Sequence, residues 1–249
     1  MKQKCKAEFT SSGLHLLAML LMLCDHSWAM LFPAQEWMTC VGRIAFPVFA
    51  FLAAEGYVHT GNLRRYFGRM LLGALLAEIP FDLMYGGTVF YPFHQNVLWT
   101  FLIALLLIRL IEKCRSRFKT PTASLLTVGI VVLGYFLGAV TMVDYYGVGI
   151  VTVLMFYLFR GQNWRCRVLQ LLCLYLLNVK LLGGFYYPVM IGNYELRIVQ
   201  QGFALFALIP IWLYRGRRGF HTKWFQYSCY GFYPVHMLIL YFLREWMLR

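Results

Sequence analysis

The 249-residue chain has no GxGxxG, Walker or HExxH pattern, no CxxC pair, no repeat of fixed period and no low-complexity tract. These absences remove the dinucleotide, P-loop and zinc-protease readings. The seven cysteines are odd in number and scattered, which fits neither a disulfide framework nor a zinc site. No metal is expected. Most of them fall in apolar runs or basic gaps, where thiols stay reduced or pack as small apolar residues. Polar surface is scarce too. The chain is 61% hydrophobic with a mean hydropathy of +0.62, whereas a soluble domain is about 45–50% apolar.

The apolar excess lies in runs long enough to cross a bilayer, which takes about 20 residues each. We read nine: 14–32, 37–57, 66–85, 95–112, 122–142, 146–160, 167–185, 198–214 and 228–247. They leave little chain for a soluble domain. The expected fold is an all-α integral membrane protein, a single polytopic bundle of about nine transmembrane helices over residues 1–249. Only helices or closed barrels satisfy the backbone in lipid.

A net charge of +13 invites a nucleic-acid reading, but its distribution excludes one. Most of the Lys and Arg fall in alternate gaps: Lys2, Lys4 and Lys6; Arg64, Arg65 and Arg69; Arg109 to Lys119; Arg160, Arg165 and Arg167; Arg215 to Lys223. That alternation is the positive-inside rule. It places the N-terminus in the cytoplasm and makes the partner a lipid bilayer, not nucleic acid. A cleaved signal peptide ending at Ser27-Trp28-Ala29 would invert the alternation, so an uncleaved first helix is expected.

Against this apolar background stand charges inside the spans: Asp25 and His26 in the first, Arg43 and Glu55 in the second, Glu78 and Asp82 in the third. Each costs about 2.5–3.5 kcal/mol at the centre of a spanning helix. They must pair, line a wet cavity or do chemistry. At 1.5 Å per residue, Asp25 and His26 lie at or just past the midplane. Arg43, Glu78, Asp82, His94 and Asn96 lie in the outer half, and Tyr233 and His236 in the inner half of the last helix. Glu78 and Asp82, four apart, share a helix face around Pro80. Two carboxylates there need a cation, and Arg43 is the expected partner. Asp25 and His26 are adjacent and point about 100° apart, so the His26 ring must be held from another helix. Blander readings stand beside these. His15, His59 and His221 read as packing or exposed residues, Arg43 as half of a structural pair, and Glu55 as reaching the interface or a basic loop.

The segments LLAMLLMLCDHSWAMLFP, VGRIAFPVFAFLAAEGYVHT, LLGALLAEIPFDLMYG, FHQNVLWTFLIALLLIRLIE and FYPVHMLILYFLR resemble the TraX family. The resemblance covers about 14–112 and 231–243; between them only the pattern of spans is similar. It implies a multi-pass acetyltransferase of the bacterial inner membrane, the family's namesake being an N-acetyltransferase of the F-type pilin subunit. The donor would be cytoplasmic acetyl-CoA and the acceptor an amine or hydroxyl at the outer side: a pilin-like N-terminus, a glycan or a small molecule. Acetyl transfer needs a base and oxyanion donors. His26 is the expected base, oriented by Glu78 or Asp82, with Arg43 or Asn96 as oxyanion donor. Asp25, His94 and His236 complete the catalytic candidates. Glu55, Arg64, Arg65, Arg69, Arg115, Arg117, Lys119 and Tyr233 are the candidates for holding acetyl-CoA. The rival classes are a proton-coupled transporter or channel and a non-enzymatic membrane assembly subunit.

Overall fold

The computed structural model describes residues 8–192, 194–220 and 222–249. Lys2, Lys4, Lys6, Cys5 and His221 lie outside that range. The chain is mostly helical: α1 Ser11–Met30, α2 Glu36–Gly42, α3 Ala45–His59, α4 Leu63–Gly86, α5 Val97–Arg117, α6 Thr120–Val140, α7 Tyr146–Leu158 and α8 Trp164–Tyr175. After α8 come a π-helical stretch Leu176–Leu182, a hairpin of β1 Tyr186–Ile191 and β2 Tyr194–Val199, a 3-10 turn Gln200–Ala207, α9 Leu208–Leu213 and α10 Lys223–Met247. The hairpin is antiparallel, with Tyr186 opposite Val199. It corrects the all-α expectation; it fills the gap between two of the apolar runs and takes in the first two residues of the second.

Side-chain caps set the helix starts. Thr10 Oγ1 accepts from Gly13 N at 3.1 Å, Asn62 Oδ1 from Arg65 N at 2.9 Å and Asn96 Oδ1 from Leu98 N at 3.0 Å; each satisfies an amide the helix cannot. The second apolar run divides at Arg43–Ile44 into α2 and α3. α4 passes through Pro80 unbroken and ends at Gly87, whose φ of +66° suits glycine.

α1 packs on α2, α3 and α10; α4 packs between α10 and α5; α5 and α7 sit against α6 and α3. Leu14, Val48, Leu105, Ile108, Ile150 and Leu154 fill the centre and are fully buried. Apolar side chains also cover the outside. Leu72, Leu75, Leu76 and Ile79 on α4, and Leu125, Val128, Val132 and Phe136 on α6, are exposed, far more than a water-soluble surface carries. Among the described residues, Ser11–Met30, the broken pair Glu36–His59 and Thr120–Val140 are long and apolar enough to cross a membrane. Of the other long helices, α4 and α5 carry more charge, and α10 holds Gln226, His236 and four tyrosines.

A hydrogen-bonded histidine pair at the end of a basic-rimmed cavity

The adjacency of Asp25 and His26 on α1 sends one side chain to α2 and the other to α10. Arg43 Nη2 donates to Asp25 Oδ1 at 2.6 Å, to Oδ2 at 2.7 Å and to Thr39 Oγ1 at 3.0 Å. Gly42 permits the approach, since a Cβ there would overlap the Asp25 side chain. The expected pairing of Arg43 with Glu78 or Asp82 is therefore corrected: its carboxylate is Asp25.

His26 faces His236, with His26 Nδ1 2.7 Å from His236 Nε2. His236 Nδ1 in turn lies 2.7 Å from the Phe232 carbonyl. The carbonyl can only accept, so His236 carries its proton on Nδ1 and presents a lone pair at Nε2. His26 must then donate from Nδ1, which leaves the lone pair of the neutral ring on Nε2. Both histidines are at least nine-tenths buried, and the Phe232 ring stacks on His236 with centroids 4.6 Å apart. The expectation that a different helix holds the His26 ring is met by α10, not by Glu78 or Asp82. The inner-half depth given to His236 is corrected. α10 begins five residues earlier than the apolar run at 228, which sets His236 about 20 Å along its helix, level with His26 at about 22 Å along α1.

Glu78 and Asp82 have other partners. Glu78 Oε2 accepts from Trp99 Nε1 at 2.9 Å and from Asn96 Nδ2. Asn96 Nδ2 also donates to the Ala74 carbonyl at 2.9 Å. Asn96 is thus a buried cap joining α4 to α5, not a free oxyanion donor. Asp82 Oδ2 accepts from Tyr91 N at 3.0 Å. The second oxygens, Glu78 Oε1 and Asp82 Oδ1, are buried with no hydrogen-bond partner among the described residues.

His94 packs edge-on to Phe81, with Tyr85 and Tyr146 beside it, and its Nε2 is 3.4 Å from Asp144 Oδ1. Sequence reasoning missed Asp144 and Tyr145. Their signal was present: an acid and an aromatic pair in a gap that the charge alternation puts on the same side as His94. Burial holds the Tyr145 phenol above its ordinary value, so it stays neutral where it stacks 3.9 Å from Phe46.

A cavity of about 540 Å³ opens at the end of the bundle formed by the starts of α1, α4 and α10 and the end of α3. Arg69, Arg218, Glu55, His59 and Tyr230 stand among its lining, and its deep wall includes Phe232, Tyr233 and Met22. Met22 is one turn from His26, and Phe232 and Tyr233 both pack on His236. The cavity's deep end is thus one ring from the histidine pair. Of the six cations expected to hold a nucleotide, Arg69 lines this cavity. Arg64, Arg65, Arg115, Arg117 and Lys119 are exposed elsewhere. Arg218, which sequence reasoning did not single out, takes part instead. Glu55 also lines the cavity but is held by Arg160 Nε at 2.6 Å and His59 at 3.3 Å. Among the described residues no group of three or more potential metal ligands comes together.

A mostly helical bundle with long apolar faces and a buried polar centre has the character of a membrane protein. The TraX protein family model matches residues 10–244, and the chain belongs to the TraX family. It is 28% identical over 247 residues to a probable fimbrial assembly protein FimC, serogroup H1, of Dichelobacter nodosus, covering 94% of this chain and 95% of that one. No solved structure matches the chain.

Proposed function

We propose that this protein is an inner-membrane acetyltransferase that carries acetyl from cytoplasmic acetyl-CoA to an amine or hydroxyl acceptor at the outer side. The observation that supports the reading best is the cavity that runs from a basic rim to one ring short of the His26–His236 pair. On this reading the bundle crosses the membrane about nine times with its N-terminus in the cytoplasm, and the cavity mouth faces the cytoplasm. Arg69 and Arg218 hold the CoA phosphates as charge-assisted donors. The pantetheine arm threads past Tyr66, Met70 and Leu98 toward the centre. His26 Nε2 takes the acceptor's proton, and His236, fixed by the Phe232 carbonyl, keeps the His26 ring in the tautomer that leaves that nitrogen free. Arg43, oriented by Asp25, is the donor for the developing oxyanion. Family membership and the fimbrial relative support an acceptor belonging to a pilus or fimbria.

Purified protein in liposomes with labelled acetyl-CoA is the test. Release of CoA with label appearing on an acceptor supports the reading; solute or proton flux with no CoA release selects the transporter class instead. Arg69→Gln together with Arg218→Gln should raise the KM for acetyl-CoA about tenfold or more while kcat changes little, because phosphate contacts persist from ground state to transition state. An unchanged KM would remove the nucleotide from this cavity.

A further inference from the structure

Three non-glycine residues have positive φ among the described residues, and all three are in one turn: Met142 at 52°, Tyr145 at 59° and Tyr146 at 48°. Side chains rarely tolerate this region, and such outliers persist where the surroundings impose them, often at functional sites. Here the surroundings are visible. Gln95 N donates to the Met142 carbonyl and Asp144 N to the Gln95 carbonyl, both at 2.9 Å. The fully buried Thr100 donates from Oγ1 to the Asp144 carbonyl at 2.7 Å. The turn is thereby bolted to the segment that carries His94, and its product is a carboxylate 3.4 Å from His94 Nε2. The Tyr85 ring lies between His94 and His26, its centroid 5.7 Å from that of His94 and 6.2 Å from that of His26, so the pair borders the centre that holds His26. Tyr85 and Tyr146 are the other titratable groups whose rings meet His94. Asp82, on the α4 face beside them, is engaged by Tyr91 N.

We propose that His94, positioned by Asp144 from this strained turn, is a second base that strips the ammonium proton from an incoming amine acceptor before acetyl transfer. The inference rests on the acetyl-transfer reading. A carboxylate facing Nε2 keeps the ring proton there and leaves the lone pair on Nδ1. An amine arriving as an ammonium must lose two protons to become an amide. His94 Nδ1 takes the first and releases it to water. The free nitrogen lone pair then attacks the thioester carbonyl, forming C–N as C–S breaks. His26 Nε2 takes the second proton and passes it to the departing CoA sulfur. The sum is ammonium plus acetyl-CoA giving amide, CoA thiol and one released proton. Asp144 is a positioning residue; it touches neither reactant.

The test compares wild type, Asp144→Asn and His94→Gln in liposomes, with acetyl-CoA and a synthetic peptide bearing a free N-terminal amine. His94→Gln leaves the turn's own residues untouched, and acetyl-CoA binding reports that each variant is folded. The expected loss in kcat/KM for the peptide is about 10–100-fold near about pH 6.5. It should shrink to within about threefold near about pH 9, where the peptide's own amine, with a pKa of about 8, arrives already deprotonated. The double variant should be no worse than the worse single one. A loss that stays constant with pH means a merely structural turn and overturns the proposal. So does wild-type protein that releases CoA but acetylates no amine, since a hydroxyl has no second proton to lose. Wild-type protein that turns over no acetyl-CoA at all defeats the acetyl-transfer reading itself, and this inference with it.

Discussion

At the scale of single residues, the buried polar groups are held by pairings made across helices. Arg43 and Asp25 are each about 15% exposed in their side chains and hold one another. Removing one half of such a pair leaves an uncompensated charge in a poorly solvated place, at a cost of about 3–5 kcal/mol. Arg43→Ala should lower folded yield and thermal stability in detergent, and adding Asp25→Asn should restore much of the loss. Recovery with Glu78→Gln or Asp82→Asn instead, and none with Asp25→Asn, would assign the pair wrongly. The need for a partner was legible from residue type and depth alone. Its identity was not, because Asp25, Glu78 and Asp82 are all at compatible depth and only the rotation of α1 about its axis decides among them. The same rotation decides what holds His26. Adjacency told that Asp25 could not, but nothing in a one-dimensional spacing distinguishes His236 from Glu78.

At the scale of elements, the contact between α6 and α7 places the turn that carries Asp144 and Tyr145. Gly138 on α6 and Gly147 on α7 let the backbones meet: a Cβ on Gly138 would come within 2.6 Å of the Tyr146 carbonyl group, and backbone cannot swing aside as a side chain can. Gly138→Val should cost about 1–3 kcal/mol by overpacking and shift the turn. The melting temperature should fall, and transfer should fall further than the loss of folded protein explains. A stable, fully active Gly138→Val would show that this crossing does not set the site. Helix positions were readable from hydropathy for α1, α4, α5, α6 and α7, whose apolar runs match their spans to within a few residues. The break between α2 and α3, the 3-10 turn before α9 and the early start of α10 were not, because an apolar run carries no mark of backbone geometry. The hairpin escaped for a related reason: it occupies a short gap between spans, where strand and loop have similar composition.

At the scale of the whole molecule, two arrangements meet. One end of the bundle gathers the starts of α1, α4 and α10 around a cavity with cations at its rim. The other gathers His94, Asp144 and the hairpin side. Between them lies the His26–His236 pair, hydrogen-bonded and almost wholly buried. The alternation of basic gaps already implied a basic side, and the charges inside the spans a polar centre. It could not tell which cations converge: Arg64, Arg65 and Arg69 are near neighbours in sequence, yet the helix turns only Arg69 toward the cavity. The central claim is that chemistry happens at His26 Nε2, with His236 as its support. The most direct test measures acetyl transfer and acetyl-CoA binding in His26→Ala beside His236→Ala, in liposomes at matched folded yield. The account predicts that His26→Ala loses about 10²–10⁴-fold in transfer while binding acetyl-CoA like wild type. Substantial transfer by His26→Ala together with complete loss in His236→Ala would contradict it and make His236 the base.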